Sequence, residues 1–578
     1  MIILGLNLFH ADSSVCLIKD GKIVHSMEEE RFKRIKHYSG FPFESLNQIL
    51  KISGTRIEDI DYITTNKSSY YNILGKIRFN FSNLGYTFIN NYLREKSNRK
   101  KSMISQLNKF GDLKNLKKII DIPHHLSHIS YSYFLSGFED CFGLTVDGSG
   151  DFSTSESFKI KSGKIKMLDK ILFPNSLGIF YQAFTQFLGF RRYGDEYKVM
   201  SLASYGKPKF TTKIREMIEI DGQFNFKLNL KYFNHHKIGF NLFNATGYPI
   251  FNDLFTREIE KKLGISTRYK NQELKDTHYD IAASMQSVFE ETVFDKINFI
   301  KKKTNLNKAC FSGGCFFNSK MAGKIKDNTD LEDIYIGSNP GDAGGAIGSA
   351  LYLSNKLSKN FNSLKKDKIS YAFNYDELST NEIFKKYDNL ITVKIAENND
   401  ELVDKTSELL KSNKIIAWFQ SGSEWGPRAL GFRSILANPA MKEVVEEINL
   451  RLKKRENFRP FAPSICVDDY SQYFEDNYDC SFMNYVVKVK DNAKNKVPAI
   501  VHVDGTSRVQ SVSVNDNKLF YDLIKSFKNK TGIYCLLNTS FNIDEPICES
   551  PDDAISTFLR SNLEYLIINK NILTKKKI

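Results

Sequence analysis

Two stretches of the chain share one pattern. IILGLNLFHADSSVCLIKDGKIVHSMEEER (residues 2–31) and FGLTVDGSGDFSTSESFKIKSGKIKMLDKI (residues 142–171) each read as an apolar strand, a loop of small and acidic residues and a second strand. A Lys-Asp-Gly-Lys or Lys-Ser-Gly-Lys turn then leads into a third strand. A β-unit that recurs after intervening helical sequence restricts the fold to an α/β class with two like halves whose loops face each other across a cleft. At 578 residues the chain exceeds what one core serves, so two or more domains are expected.

Actin, hexokinase and Hsp70 have this duplicated construction, with a nucleotide in the cleft. Two glycine-rich turns suit it. ACFSGGCFFNSKMAGKI (residues 309–325) is a strand, a Gly-Gly turn and a helical pattern, and SNPGDAGGAIGSALYL (residues 338–353) repeats the device with Asp342 in the loop. Glycine lets backbone approach a ligand closely, and a helix N-terminus offers free N–H donors to phosphate. Gly313, Gly314, Asn318 and Gly341 are the candidate nucleotide contacts. The polar segment 354–376 reads as a connection between an N-terminal domain over residues 1–353 and a C-terminal domain over 377–578. The second domain opens with a helix over residues 399–411 and the strand IIAWFQ, and the closing LTKKKI reads as a frayed tail.

Composition removes several classes. The first strand lacks a basic leader, and no apolar run approaches the roughly 20 residues that span a bilayer, so the cytosol is the expected compartment. The eight cysteines form no CxxC pair, against a zinc ribbon or a dithiol redox site. The net charge of +15 is spread along the chain beside many asparagines and isoleucines, as an AT-rich coding bias produces, with anionic small substrates a second contributor and no nucleic acid expected. The densest basic stretch, residues 92–118, reads as a solvated helical insertion.

In HHLSHISYSYF the histidines at 124 and 128 are four apart on a helix begun by Pro123, whose apolar face is Leu126, Ile129, Tyr133 and Phe134. Two imidazoles one turn apart can grip a metal ion, while His125 points about 100° away. Asp147, at the end of the following strand, and Asp342 offer a third and a fourth ligand. A nitrogen and oxygen set without thiolate suits iron, zinc or manganese. His10, in the loop after the first strand, can take a proton from an attacking hydroxyl at neutral pH. Further on, EWGPRALGFRSILANP and KEVVEEINLRLKKRENFRPFAPSI set Arg428, Arg433, Lys453, Lys454, Arg455 and Arg459 among glycine and proline turns. With Arg508, Asn538 and Ser540 they point to an anion site, since arginine grips phosphate bidentately. Lys453 to Arg455 read partly as a solvated helix face.

These blocks, with GDEYKVMSLASYG and LLNTSFNIDEPICESPDDAI, run nearly end to end and in order, and the chain resembles the carbamoyltransferases that decorate nodulation factors and antibiotics. The resemblance implies an N-terminal actin-like domain similar to tRNA threonylcarbamoyl-transfer enzymes and a C-terminal α/β domain similar to threonylcarbamoyl-adenylate synthases. It implies that the second domain makes carbamoyl-adenylate from carbamoyl phosphate and MgATP, and that the first transfers the carbamoyl group to a hydroxyl of a small-molecule or sugar acceptor. Carried over by position, His124, His128, Asp147 and Asp342 become ligands of a metal, with iron the implied occupant, and His10 the transfer-site histidine. Arg428, Lys453, Arg459, Arg508 and Ser540 become contacts to carbamoyl phosphate and ATP.

The chain departs from the pattern at Ser421, Gly422, Ser423 and Glu424, where the family reads Gly-Arg-x-Glu and so carries one more arginine. Among rivals, a hydrogenase-maturation carbamoyltransferase requires CxxC pairs and the reverse domain order. A tRNA threonylcarbamoyl-type transferase lacks the second domain, a kinase leaves GPRALG and RENFRPFAP idle, and a non-catalytic relative is expected to lose ligands. Residues 205–279, with His235 and His236, match no block and are the expected region of acceptor recognition.

Overall fold

The computed structural model describes residues 1–82, 99–113, 116–238, 242–358, 368–475 and 478–576. The chain divides into two compact units, Met1–Asp367 and Lys368–Ile578.

The repeated β-unit appears twice in the first unit as an antiparallel meander. β1 (Ile2–Asn7), β2 (Ser14–Lys19) and β3 (Lys22–Glu28) form one, and β4 (Tyr62–Thr65) and β5 (Lys118–Asp121) extend it in parallel beyond β1, in the order β3-β2-β1-β4-β5. β6 (Asp140–Gly150), β7 (Ser153–Lys161) and β8 (Lys164–Leu172) form the other. β9 (Lys308–Ser312) and β10 (Asp333–Ile336) extend it in parallel beyond β6, so the topology is the same. The tight turns also match: Asp20 and Gly21 have φ of 49° and 80°, Ser162 and Gly163 of 44° and 81°. Two successive left-handed residues make the turn whose twist suits a hairpin, which is why a glycine follows Asp or Ser in both. This is the duplicated α/β architecture of the actin type.

Between these sheets run α1 (His124–Ser136) and α3 (Gly344–Leu357), and α2 (Asp276–Thr304) packs beside the second sheet. A β-carbon at Gly348 of α3 would stand 1.9 Å from the Ser127 carbonyl oxygen of α1, and one at Gly5 of β1 would stand 2.1 Å from that of Ala346. Backbone therefore meets backbone on both sides of α3. This enclosure corrects the expected amphipathic face of α1: Leu126 is only half-buried, while His124, His125 and His128 are buried with the apolar residues. The helical pattern after the Gly-Gly turn is also broken, into a tight turn over Gly314–Phe317 and short helices over Ser319–Ala322 and Ile325–Thr329. Only the second glycine loop opens a long helix.

Of the segment read as a connection, residues 359–367 lie outside the described residues. Residues 354–357 complete α3, and residues 368–376 pack on the second unit, where Ser370 Oγ donates to Ser423 O at 2.6 Å and Trp425 N to Ile369 O at 2.8 Å. The basic stretch is read correctly only in part. Residues 92–98, 114 and 115 lie outside the described residues, but helix 99–107 buries Met103 and Leu107, and Arg99 Nη2 donates to Leu8 O at 2.7 Å. It is docked rather than merely solvated.

The second unit is an eight-stranded mixed sheet in the spatial order Ile391–Ile395, Asn571–Lys575, Tyr565–Ile568, Ile416–Phe419, Arg433–Ala437, Cys535–Ser540, Ala462–Cys466, Gln510–Val512. α4 (Asn399–Lys411) and α5 (Lys518–Thr531) share its main core, where Trp418, Leu436, Phe520, Phe527 and Ile567 are fully buried. Leu573 to Lys575 of the expected tail are strand residues, because Leu573 is buried between two neighbouring strands.

Candidate functional site

In the first unit four predicted residues converge. His124 and His128 present Nε2 atoms 3.0 Å apart; Asp147 Oδ2 lies 3.1 and 3.2 Å from them, and Asp342 Oδ1 3.4 Å from each. Their arrangement follows from the local sequence. The i, i+4 spacing aligns the two rings. Asp147 sits where the β6–β7 pairing breaks between Val146 and Gly150, with Oδ1 held by the amides of Gly148 at 2.8 Å and Gly314 at 3.2 Å. A β-carbon at Gly150 would be 2.0 Å from the His124 ring. Asp151 Oδ2 accepts from His124 N at 2.9 Å and Ser68 N at 2.7 Å, fixing the start of α1.

The electrostatics favour a cation at this point. Burial alone would raise both carboxyls, but His124 and His128 hold Asp147 well below the carboxylate range, and His10 with His128 lowers Asp342. His128 is raised to about 9 against its burial by these two carboxylates. Asp342 Oδ1 is buried without a hydrogen-bond partner. Two imidazole nitrogens and two carboxylate oxygens aimed at one point fit a transition-metal ion. His125 stays out of the cluster, its Nδ1 2.8 Å from Thr145 Oγ1.

His10 stands next to the cluster, its Nδ1 2.6 Å from Asp342 Oδ2 and its ring edge-on to His124 at 5.8 Å. Its loop is pinned by Asn7, whose Nδ2 donates to Ala11 O and Asp12 O at 2.9 and 2.8 Å. Sequence reasoning passed over a neighbouring group. Asp12 Oδ1 lies 2.8 Å from His37 Nδ1, and Glu30 Oε2 accepts from His37 N at 2.8 Å. Gly194, in the GDEYKVM block, leaves the ring its room, since a β-carbon there would be 2.3 Å from His37 Nε2. Burial would lower His37, but Asp12, Glu30 and Glu196 outweigh it and raise it to about 9. That stabilisation is complete below the ordinary value of 6.5 and is lost as pH rises through about 9. The thermal midpoint is therefore expected to fall across this window, and to fall less steeply in His37→Gln; equal slopes in the two proteins would contradict the assignment.

The nucleotide candidates fare unevenly. Gly313 has φ of 99°, and its N donates to Pro340 O at 2.8 Å, tying the two glycine loops together. Gly314 serves Asp147, and Gly341 approaches the Phe317 ring. Asn318 is committed to structure: it caps Met321 N and exchanges hydrogen bonds with Gln286. His235, expected to meet the acceptor, is a core residue with Nε2 2.7 Å from Pro174 O, held there by close packing against Phe173.

In the second unit, Arg508 is pushed well below its ordinary range by burial and then by Arg428, Arg455 and Arg459 around it. Its Nε has no hydrogen-bond partner. Three guanidinium groups gathered around a fourth call for an anion. Lys453 is 3% exposed, and its Nζ donates to Ser540 O, Ser540 Oγ and Asn542 Oδ1 at 2.6, 3.1 and 3.0 Å. Asn542 is the residue that sequence reasoning missed. The signal for Asn542 was its place two residues after Ser540. Arg455, expected at the anion site though partly as a solvated face, is held in place: Asn449 Oδ1 accepts from its Nε at 2.6 Å and its guanidinium lies 4.9 Å over Phe461. Arg433 is scaffold, fully buried and bonded to the carbonyls of Gln420, Ser421, Phe432 and Glu549. Asn538 supports the loop before it, its Nδ2 3.1 Å from Ala429 O. Glu424 accepts from the amides of Leu430, Phe432 and Arg433 at 2.8, 3.0 and 2.9 Å, which shapes the GPRALGF turn. Gly422 packs so that a β-carbon would meet Phe373 O at 2.7 Å, leaving no room for arginine.

Comparison with known proteins agrees with this layout. The models described as Carbamoyltransferase N-terminus and Carbamoyltransferase C-terminus match residues 2–351 and 407–575. An uncharacterized Synechocystis protein, sll1178, is 32% identical over 99% of this chain and 96% of its own. Nodulation protein NolNO of Sinorhizobium fredii is 32% identical over 99% and 80%, and nodulation protein NolO of Bradyrhizobium diazoefficiens 34% identical over 78% and 79%. Matched by both halves of the family and by relatives alike over most of their length, the chain belongs to the carbamoyltransferases, enzymes that transfer a carbamoyl group.

Proposed function

We propose that this carbamoyltransferase works in two steps at two sites. In the second unit, carbamoyl phosphate, MgATP and water give carbamoyl-adenylate, phosphate and pyrophosphate. In the first, an acceptor hydroxyl attacks the carbamoyl carbon, yielding an O-carbamate, AMP and a proton. The observation that carries the reading is the gathering of Arg428, Arg455 and Arg459 around Arg508, with Lys453 beside Ser540. These cations bind and neutralise carbamoyl phosphate and the ATP phosphates.

His124, His128, Asp147 and Asp342 are the residues that hold a metal ion, iron in this reading. When bound, the ion supplies positive charge to a nucleotide phosphate. Asp342 orients His10 through Nδ1, which leaves Nε2 to take the proton of the acceptor hydroxyl. Asn7 and Asp151 keep the His10 loop and α1 in place. Two sites on one chain limit loss of the adenylate to water.

Purified protein given MgATP is expected to release pyrophosphate only when carbamoyl phosphate is present, with no acceptor added. Pyrophosphate release that ignores carbamoyl phosphate would refute the first step.

A further inference from the structure

A pocket of about 430 Å³ opens beside the His10 loop, a size within the ordinary range for small-molecule sites. Phe9, the residue before His10, forms one wall; Tyr38, Phe41 and Phe43 form others, with Lys33 and Lys109 at the edge. The wall is fastened to the His10 loop: Phe9 N donates to Gly40 O at 2.9 Å, and Ser13 N to Tyr38 O at 2.8 Å. Lys109 follows the docked helix 99–107, and Phe110 packs on Phe43 with ring centroids 4.6 Å apart. The charges are unequal. Lys33 is paired with Glu44 at 3.1 Å, whereas Lys109 lies 5.7 Å over the Phe43 ring and, among the described residues, has no carboxylate within ion-pair distance. Among the described residues, no acidic side chain lines the pocket.

We propose that this pocket is where the acceptor is recognised, and that the acceptor is a hydroxylated ring compound bearing an anionic substituent, an acidic sugar in chemical class. The proposal rests on the transfer step assigned to His10. The negative faces of the aromatic walls attract the C–H side of a sugar ring, and the ammonium group of Lys109 selects an acidic substituent. A polyamine acceptor finds no carboxylate among the described lining residues and meets a like charge. The reacting hydroxyl loses its proton and gains the carbamoyl group, and AMP departs.

The test compares kcat/KM for carbamoylation of p-nitrophenyl β-D-glucuronide, the uncharged β-D-glucoside and the 2-amino-2-deoxy-β-D-glucoside, with carbamoyl phosphate and MgATP supplied. The wild-type protein is expected to prefer the glucuronide to the amino sugar by about fivefold or more, the scale of one exposed charge, and Lys109→Glu is expected to narrow or invert that preference. An amino sugar preferred by wild-type protein, or a preference untouched in Lys109→Glu, overturns the proposal. Acceptor-free pyrophosphate release by wild-type protein, measured alongside, separates the failures. If release is intact and none of the three sugars is carbamoylated, the pocket assignment falls; if release is absent, the two-step reading beneath it falls.

Discussion

Replacing His10 with asparagine is expected to lower carbamoyl transfer by on the order of 10²–10⁴-fold, the range for loss of a general base, while carbamoyl-phosphate-dependent pyrophosphate release continues. Asparagine keeps polarity and approximate size but takes no proton at neutral pH. The loop is held by Asn7 and by Ser13 Oγ, which donates to Gly40 O at 2.8 Å, so its shape does not depend on the imidazole. A merely structural role for His10 would instead lower the thermal midpoint and both partial reactions together. The measurement is transfer to the best acceptor of the aryl-glycoside panel, beside pyrophosphate release and thermal unfolding of the same preparation. Equal losses in all three would remove His10 from the chemistry.

Arg508→Met is expected to act in two opposite directions. Pyrophosphate release falls on the order of 10²-fold, as when one partner of a desolvated charge contact is removed. The protein without phosphate ligands becomes more stable by about 1 kcal/mol, since an apolar side chain replaces a half-buried cation crowded by other guanidinium groups. The physical cause is on one strand end: Arg508 closes Thr506–Arg508 with Arg428, Arg455 and Arg459 around it and with Nε lacking a partner. A group kept at the expense of stability is kept for a ligand. Denaturant unfolding without nucleotide, set beside pyrophosphate release, reads both effects. A destabilised variant with normal release would make Arg508 a packing residue.

Local periodicity and turn chemistry carried much of this architecture. The two Gly turns of the hairpins are a matter of left-handed backbone, visible in Asp20-Gly21 and Ser162-Gly163. The His124 and His128 pair is a matter of helical spacing. Their partners were harder, because Asp147 and Asp342 are distant in sequence and meet only when β6 and the loop before α3 face α1. Residues whose role depends on tertiary surroundings escaped a reading by segment. His235 was expected to meet the acceptor and is core, and Asn318, read as a nucleotide contact, is hydrogen-bonded to Gln286. Arg455 looked partly solvated, yet Asn449 binds it beside the other arginines. Lys109 belonged to a stretch dismissed for its charge, although Met103 and Leu107 anchor that helix in the core.

The two-step account stands or falls on its intermediate. The direct measurement is mass spectrometry of a rapidly quenched mixture of His10→Asn protein, carbamoyl phosphate and MgATP without acceptor. Carbamoyl-adenylate accumulating with pyrophosphate, and absent when Arg508→Met is added to the same chain, is the predicted result. ADP formed in place of pyrophosphate, or AMP and pyrophosphate appearing without carbamoyl phosphate, would contradict the account.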